Sequence, residues 1–222
     1  WGAGIDAPDS GTINSRMRAP EGFEISLWAE DTRGARVLRP TPAGDLLVGS
    51  PVQNSVLLLE ADADGDGRSD GQRVLLEELN HPYGVELRDG WLYVGETGGI
   101  ARVPFDPGKP ATPGEPSGAQ VTGELEHIVN DLPPGGNHWT RNLRFGPDGW
   151  LYVNVGSSCN VCLEDDPSRR AALLRFRPDG SGEETFATGL RNTVGFAWQP
   201  TTGKLYATDN GRDLLGDNFP PC

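Results

Sequence analysis

The sequence predicts an all-β protein made of four-stranded antiparallel sheets arranged as the blades of a β-propeller. A unit of strand, glycine-containing turn and strand recurs roughly every 45–60 residues, a spacing typical of propeller blades. Two further short strand patterns follow the hairpin in the complete units. The 31 Gly and 19 Pro among 222 residues also suit many short strands joined by tight turns. A sandwich or a solenoid is the alternative, and the repeat length and antiparallel hairpins argue against a solenoid.

The repeats follow one another in the same internal order. The hairpins lie at residues 42–49, 87–94, 145–153 and 198–207, the third strands at 55–60, 100–105 and 172–176, and the fourth strands at 74–76, 127–129 and 185–187. Residues 23–28 alternate apolar and polar side chains, which also predicts a strand. The sequence therefore predicts an irregular segment over residues 1–22 and a propeller domain over residues 23–222, with about three and a half blades.

The predicted blades stop short of a closed ring. A propeller of four to eight blades must close on itself, whereas this sequence ends within the fourth repeat. Either residues 23–28 complete an unusually small ring, or the domain is truncated and continues beyond the C-terminus. We expect the second, so the missing half of the propeller, or a second chain in its place, is an expected partner.

The charge of the chain excludes two classes of partner. Lys and Arg number 19 against 32 Asp and Glu, which gives a formal net charge of −13. Such an acidic protein repels nucleic acid and anionic membrane surfaces. No run of about 18 apolar residues is present, so no membrane span is expected. A neutral substrate such as a sugar is compatible with this charge.

Two of the three cysteines, Cys159 and Cys162, form a C-x-x-C motif in a long polar loop. No second motif follows, which argues against a zinc site, and no His follows Cys162, which excludes c-type haem attachment. No helix pattern follows Cys159, as a thioredoxin-like motif would need. We predict a structural disulfide and therefore an oxidising compartment, periplasmic or extracellular. Cys222 is left without a predicted partner.

Residues 62–70 have the spacing of a calcium-binding loop, with carboxylates at its first, third, fifth and ninth positions and Gly67 at the sixth. The predicted ligands are the carboxylates of Asp62, Asp64, Asp66 and Asp70 and the carbonyl of Arg68. The twelfth position is Arg73 rather than Glu, and the flanking patterns are strands, so this is not an EF-hand. A solvated acidic turn is the alternative, but four carboxylates this close repel one another without a cation.

A glycine-rich loop before the third hairpin carries His138, with an Asn before it and Arg141 after it. Loops held by a rigid sheet commonly carry binding and catalytic groups. Arg191 and Asn192 occupy the same place one repeat later, and loops at equivalent blade positions converge near the propeller axis, so His138 is expected to meet them. Each has an ordinary alternative: a hydrogen-bonded loop histidine, or an arginine paired with a local acid. Tyr83, on the equivalent loop of an earlier repeat, either walls a pocket or belongs to the core.

Together these stretches resemble the pyrroloquinoline quinone (PQQ)-dependent sugar dehydrogenases of the glucose/sorbosone dehydrogenase family. The resemblance is carried by His138 with residues 145–149, by residues 189–192 and by residues 209–213. The motif Ser-Ser-Cys-Asn-Val-Cys at residues 157–162 resembles the sorbosone-dehydrogenase-like branch. The resemblance covers roughly residues 23–222, as the N-terminal part of the family's domain, and implies a six-bladed propeller.

The resemblance implies roles for the residues that match the family's motifs. His138 matches the general base, and Arg191 and Asn192 match residues that hydrogen-bond the quinone oxygens, Arg191 being expected to act in catalysis as well. The carbonyls of Gly211 and Arg212 match ligands of an active-site calcium ion.

Tyr83 and Arg141 complete the expected cofactor-binding residues. Two positions depart from the glucose-oxidising branch, which has Asp where this sequence has Asn137 and Pro where it has Arg212. These departures concern the loops around the expected base and the expected calcium ion, so they bear on which sugar is preferred.

The implied function is oxidation of an aldose or sugar aldehyde, glucose-like or sorbosone-like, by hydride transfer to the quinone of PQQ with calcium as the second cofactor. The expected electron acceptor is a cytochrome or a quinone. A gluconolactonase-like, calcium-dependent hydrolase is one alternative, which would need side-chain carboxylates and Asn around a central metal rather than carbonyls. A non-catalytic binding propeller is another, because a fold does not by itself fix a function.

Overall fold

The computed structural model describes residues 9–214, which form one short helix and a series of antiparallel sheets. The elements in chain order are α1 (Ser10–Arg16), β1 (Val37–Pro40), β2 (Leu46–Ser50), β3 (Ser55–Leu59), β4 (Gln72–Leu76), β5 (Gly84–Arg88), β6 (Trp91–Glu96), β7 (Gly99–Asp106), β8 (Gln120–Val121), β9 (Glu126–Val129), β10 (Leu143–Phe145), β11 (Leu151–Val155), β12 (Ala172–Phe176), β13 (Glu184–Thr188), β14 (Phe196–Trp198) and β15 (Leu205–Ala207).

The strands pair in chain order into blades. Blade 1 is β1-β2-β3-β4, blade 2 is β5-β6-β7-β9 with β8 added beside β7, blade 3 is β10-β11-β12-β13, and blade 4 begins with β14-β15. Neighbouring strands in these blades pair antiparallel. The described residues thus confirm an all-β propeller architecture with four-stranded blades, three of them complete.

The hairpin turns explain why the blades can be recognised in the sequence. Asp89 and Gly90 have φ values of 50° and 79° and connect β5 to β6 with two residues. Positive φ at both positions defines a type I′ turn, whose twist matches that of the flanking strands and which Asp-Gly favours. The glycine turns predicted between the first and second strand of each repeat therefore lie where the sequence placed them.

Residues 23–28 do not form a strand, contrary to the prediction. Among them, Trp28 packs against the apolar cluster of blade 1 that contains Val48 and Leu57, and its carbonyl accepts a hydrogen bond from Ser69 N at 2.8 Å. Phe23 is 74% exposed, so the alternating apolar residues do not line one buried face.

The segment predicted to be irregular, residues 1–22, contains the helix α1, which the sequence analysis did not predict. Asp9 caps it, because the Asp9 side chain accepts a hydrogen bond from Thr12 N at 2.8 Å. Residues 1–8 and 215–222, and with them Cys222, lie outside the described residues. Within residues 9–214 no helix has the length and apolar character needed to cross a membrane.

The apolar core lies between consecutive blades. One cluster joins blade 1 to blade 2, a second joins blade 2 to blade 3, and a third joins blade 3 to the hairpin of blade 4. Tyr93 of β6 and Leu151 of β11, for example, belong to the same cluster although they lie in different blades. Blades 2 and 3 are therefore covered on both faces, and their stability depends on their neighbours.

An ion-pair group ties the innermost strands of the three complete blades. Glu86 of β5 lies 2.9 Å from Arg39 of β1 and 3.9 Å from Arg144 of β10, measured between carboxylate and guanidinium atoms. The Glu86 side chain is only 11% exposed, and burial raises its pKa, although Arg39 opposes that change. The group links three blades through one carboxylate.

Candidate functional site

Loops that precede the first strand of a blade meet loops that follow the second strand, because paired strands run antiparallel. At blades 3 and 4 these are residues 133–142 before β10, residues 156–171 after β11, residues 189–195 before β14 and residues 208–214 after β15. The candidate site is built from these four loops.

His138 is held through its Nδ1 atom by Ser157. Nδ1 lies 2.8 Å from the Ser157 carbonyl oxygen and 3.0 Å from the Ser157 hydroxyl, which itself donates to the Cys159 carbonyl at 2.8 Å. Because a carbonyl only accepts and the hydroxyl hydrogen is used on Cys159, we assign the proton of the neutral imidazole to Nδ1. Nε2 is then the nitrogen that can accept a proton.

Gly156 allows His138 and Asn192 to approach each other. A Cβ atom at position 156 would lie 3.0 Å from Asn192 Oδ1 and 3.2 Å from His138 Cγ, with His138 Cβ closer still. Asn192 Oδ1 is buried and has no hydrogen-bond partner among the described residues. The predicted meeting of the two loops therefore occurs across a residue without a side chain, and it leaves a polar amide atom free beside the imidazole.

Arg191 lies next to the same group, but its guanidinium is largely engaged. Nε donates to the carbonyl of Asn160 at 3.1 Å, Nη1 to the carbonyl of Asn210 at 2.9 Å, and Nη2 to Asn160 Oδ1 and Asp213 Oδ2 at 2.8 Å each. The arginine side chain is 12% exposed. One N–H of Nη1 is left without a partner among residues 9–214, so Arg191 both fastens the loops together and keeps one donor.

Asp209, which sequence reasoning missed as a site residue, fixes the backbone of the 189–195 loop. Its carboxylate accepts from Arg191 N at 3.1 Å, Asn192 N at 2.8 Å and Thr193 Oγ1 at 3.3 Å. Asn210 N then donates to the Asn192 carbonyl at 3.1 Å. These bonds hold the loop of residues 208–214 against Arg191 and Asn192, two of the predicted cofactor-binding residues.

Gly211 and Arg212, the predicted carbonyl ligands of calcium, lie in that same loop directly after Asn210. Asn210 and Asp213 on either side of them are both bonded to Arg191. The structure therefore brings the two predicted ligand positions close to Arg191, one of the two predicted catalytic residues.

Arg141 does not face an open site. Its side chain is fully buried, and its guanidinium donates to the carbonyls of Pro133, His138 and Thr140 at 2.6, 3.2 and 2.9 Å. Burial, with a smaller effect of the nearby Arg170, lowers the pKa of Arg141 to about 10. In this arrangement Arg141 supports the His138 loop from inside and offers no exposed surface to a cofactor.

Tyr83 is likewise a core residue here, with 6% exposure. Its ring meets the edge of Trp139 at 6.3 Å between centroids, and His81 meets Trp139 at 5.6 Å. Trp139, which follows His138 directly, therefore lies between the wall of blade 2 and the candidate base. The sequence analysis assigned it no role, although a Trp that directly follows a candidate base is a signal that could have been used.

The acidic loop connects β3 to β4 and lies apart from these loops. Oxygen atoms of Asp62, Asp64 and Asp70 lie within 4.8 Å of one another, a grouping able to hold a cation. Asp66 is outside the group, and its Oδ1 accepts from Arg68 N at 2.8 Å. Three of the four predicted carboxylate ligands are therefore brought together.

Cys159 and Cys162 are paired as a disulfide, with their Cα atoms 6.0 Å apart. The separation lies within the usual range for such a bond. The pair closes the short loop that carries Asn160, directly beside Arg191.

The fold resembles that of PQQ-dependent dehydrogenase domains. The chain belongs to the TrAA12-like family, whose model matches residues 17–218.

Among curated proteins, the chain is 26% identical over 214 residues to an uncharacterized protein of Borreliella burgdorferi, covering 94% of this chain and 53% of that protein. It is 31% identical over 107 residues to an uncharacterized protein of Synechocystis, covering 37% of this chain and 26% of that protein. The chain thus spans about half the length, or less, of the curated relatives it matches.

Three solved structures share the fold. A calcium structure of the Trichoderma reesei carbohydrate-active enzymes family AA12 has a TM-score of 0.71 at 19% identity, over 88% of this chain and 50% of that one. The holo PQQ domain of pyranose dehydrogenase from Coprinopsis cinerea has 0.65 at 17% identity, over 84% and 47%. The PQQ-bound aldose sugar dehydrogenase from Streptomyces coelicolor has 0.61 at 25% identity, over 82% and 57%.

Proposed function

We propose that the whole protein is an oxidoreductase that oxidises an aldose or sugar aldehyde with PQQ and calcium as cofactors. The observation that carries the proposal is the pairing of His138, with Nε2 as its proton-accepting nitrogen, and Asn192 across Gly156, beside Arg191. Structural neighbours described as a PQQ domain of pyranose dehydrogenase and a PQQ-bound aldose sugar dehydrogenase support it.

The residues present fit PQQ in part. Asn192 has a buried amide atom without a partner in the described part of the chain, and its amide can be turned to donate or accept. Arg191 has one N–H that no residue of 9–214 accepts, which suits an anionic or carbonyl oxygen. Gly211 and Arg212 offer the carbonyls that calcium prefers. Tyr83 and Arg141 are buried and act as support in this arrangement, so we leave them out of the proposed cofactor contacts.

PQQ, when bound, supplies the acceptor for the hydride that leaves the sugar carbon. His138 Nε2 takes the proton of the hydroxyl on that carbon, which for a sugar aldehyde is a hydroxyl of its hydrated or cyclic form, since Nδ1 is already committed to Ser157. Arg191 places a positive charge where negative charge develops. Asp209 holds the backbone of Arg191 and Asn192, so both side chains start from fixed positions.

The finer assignments are also proposals. The motif around the disulfide supports the sorbosone-dehydrogenase-like branch, and the disulfide itself supports a periplasmic or extracellular location. A cytochrome or a quinone is the proposed electron acceptor. The rest of the propeller, in the same chain or supplied by a second one, is the proposed structural partner, consistent with the length of the relatives.

The test is reconstitution of the whole protein with PQQ and calcium, followed by dye reduction with a panel of aldoses and sugar aldehydes. We expect reduction that depends on PQQ and on calcium. Lactone hydrolysis with calcium alone would instead favour the gluconolactonase-like reading, and sugar binding without turnover would favour a binding propeller.

A further inference from the structure

Asn160, one of the two residues between the paired cysteines, contacts two separate parts of the site. Its carbonyl accepts from Arg191 Nε at 3.1 Å, and its Oδ1 accepts from Arg191 Nη2 at 2.8 Å. Its amide also pairs with the backbone of Asp213, accepting from Asp213 N at 2.9 Å and donating to Asp213 O at 2.8 Å. Four hydrogen bonds therefore leave this one residue toward the two loops of blade 4.

These bonds restrain both the Arg191 side chain and the loop that carries Gly211. Two of the three guanidinium nitrogens of Arg191 are bonded to Asn160, which leaves the plane of the guanidinium little freedom to rotate. The loop that carries Gly211 is held at Asp213 by Asn160 and at Asn210 by Asn192. Removing the Asn160 side chain would loosen the Asp213 end, where the ion pair between Asp213 and Arg191 would remain.

The disulfide restricts the residue that makes these contacts. Cys159 and Cys162 close a loop with only Asn160 and Val161 between them, so the Asn160 backbone has few conformations available. The same closed loop is also connected to His138. Ser157, which contacts His138 Nδ1, donates its hydroxyl to the Cys159 carbonyl.

We propose that Asn160 is a positioning residue, which the Cys159–Cys162 loop presents so that it orients Arg191 and the 209–213 loop for the oxidation. The inference rests on the proposed function for its kinetic consequence, while its structural part concerns this chain alone. Asn160 acts through Arg191 and through the backbone of Asp213.

The first experiment compares Asn160→Ala with Val161→Ala, which lies in the same closed loop with a side chain 54% exposed. In the whole protein loaded with PQQ and calcium, we expect Asn160→Ala to lower kcat roughly 10- to 100-fold with the sugar KM within about threefold, because a misplaced group of this kind costs rate rather than substrate binding. Val161→Ala should keep the wild-type kcat.

The second experiment observes Arg191 without any turnover. In 15N-labelled protein, the Arg191 Nη2–H signal, assigned with Arg191→Lys, is expected to exchange slowly with solvent in the wild type and in Val161→Ala. It should broaden or exchange fast in Asn160→Ala, because that variant removes the Oδ1 acceptor of Nη2, while the Asn160 carbonyl that accepts from Nε stays. If Asn160→Ala does not fold, Asn160→Asp serves in its place, since it keeps the acceptor for Arg191 but loses the donor to Asp213, and an intermediate kcat is expected.

The third arm removes the disulfide with Cys159→Ser/Cys162→Ser, or by reduction. We expect this change to disturb both the Arg191 signal and the 15N signals of the His138 imidazole, whereas Asn160→Ala should disturb only the former. Unchanged Arg191 exchange in Asn160→Ala overturns the inference whether or not the protein oxidises sugars. Unchanged kcat in Asn160→Ala, in a wild type that is active, overturns its kinetic part. A wild type that reduces no dye counts against the proposed function and leaves the exchange experiment to decide on Asn160.

Discussion

Gly156 determines how closely the candidate base and the candidate amide approach. We expect Gly156→Ala to push His138 and Asn192 apart, since the added methyl would lie 3.0 Å from Asn192 Oδ1 and meet the imidazole as well. Overpacking of this kind typically costs about 1–3 kcal/mol of stability, and sugar oxidation should fall at least tenfold.

Gly98→Ala is the matched control, because the nearest atom to its added methyl is Asn80 Nδ2 at 3.9 Å, an ordinary contact. Urea denaturation and dye reduction measure the two effects. Equal stability and equal rates in Gly156→Ala and Gly98→Ala would show that the approach of the two loops is unimportant.

His138 is expected to carry the proton-transfer step. His138→Ala should lower kcat by roughly 10²–10⁴-fold, the usual contribution of a positioned base, while PQQ binding, measured by absorbance titration, stays nearly intact. His81→Ala, on the neighbouring aromatic group, is the comparison and should retain far more activity. Full activity in His138→Ala would end the assignment.

The sequence predicted which loops meet, but not how they are held. The equivalence of positions along the repeat was enough to expect His138 beside Arg191 and Asn192, and Gly156 and Ser157 now explain the contact. Partners such as Asp209 and Asn160 lie on other loops of the chain, and no local pattern reports a hydrogen bond between distant segments.

The sequence also did not show that Arg141 and Tyr83 are buried. Arg141 is charged and stands beside a candidate base, which favours a site residue on sequence alone, yet its guanidinium holds three carbonyls inside the loop. Tyr83 was left between a pocket wall and the core, and the structure places it in the core.

At the scale of single elements, the acidic loop after β3 gives a sharp test. Asp64 and Asp66 each accept a hydrogen bond from the backbone N–H two residues on, at 3.1 and 2.8 Å, but only Asp64 belongs to the group of clustered carboxylates. If the loop binds calcium, Asp64→Asn should reduce the rise in Tm on adding calcium more than Asp66→Asn does.

Differential scanning calorimetry with and without a chelator measures this difference. A wild type whose Tm does not respond to calcium or to chelation contradicts a calcium site in the loop. Equal losses in the two variants would mean that Asp66 turns toward the ion when it binds.

Strands in hairpins were predictable because a turn and an alternating pattern specify them together, as in β5 and β6 around Asp89 and Gly90. Residues 23–28 show the limit of alternation alone, because they have the alternating pattern without pairing as a strand, and Phe23 at their start is 74% exposed. The helix α1 spans only 7 residues, too few for a clear helical period.

At the scale of the whole molecule, the buried Glu86 predicts a pH dependence of stability. Burial raises its pKa in the folded protein above the ordinary value of 4.5. A carboxyl with a raised pKa contributes stability that is fully present below the ordinary value and is lost as pH rises through the raised value. Stability of the wild type should therefore fall, relative to Glu86→Gln, as pH increases from about 4.5.

Urea denaturation at a series of pH values measures the difference, with the exposed Glu124→Gln as the control for the same chemical change. If the free energies of unfolding of wild type and Glu86→Gln change in parallel across that pH range, the pKa of Glu86 is not raised in the folded protein. Loss of the blade fold in Glu86→Gln at every pH would instead show that the link is needed for assembly.

The blades within this sequence could be counted because each repeat is a local pattern. The packing of one blade against the next could not be predicted. The apolar clusters join residues far apart in sequence, such as Val94 with Leu58 in the cluster between blades 1 and 2. Alternation identifies which residues leave the plane of a sheet but not which neighbouring sheet receives them.

The placement of the core between consecutive blades has a consequence for how this chain emerges from a ribosome. When blade 2 has been synthesised, the face that carries Tyr93 and Ile100 still lacks the strands that will cover it, since those belong to blade 3. Translation therefore completes each apolar layer only one blade later, at a delay of roughly several seconds at the usual rates of about 5–20 residues per second. During that interval the newest blade has one uncovered apolar side, and this is the stage at which a chaperone that binds apolar strands would have its substrate.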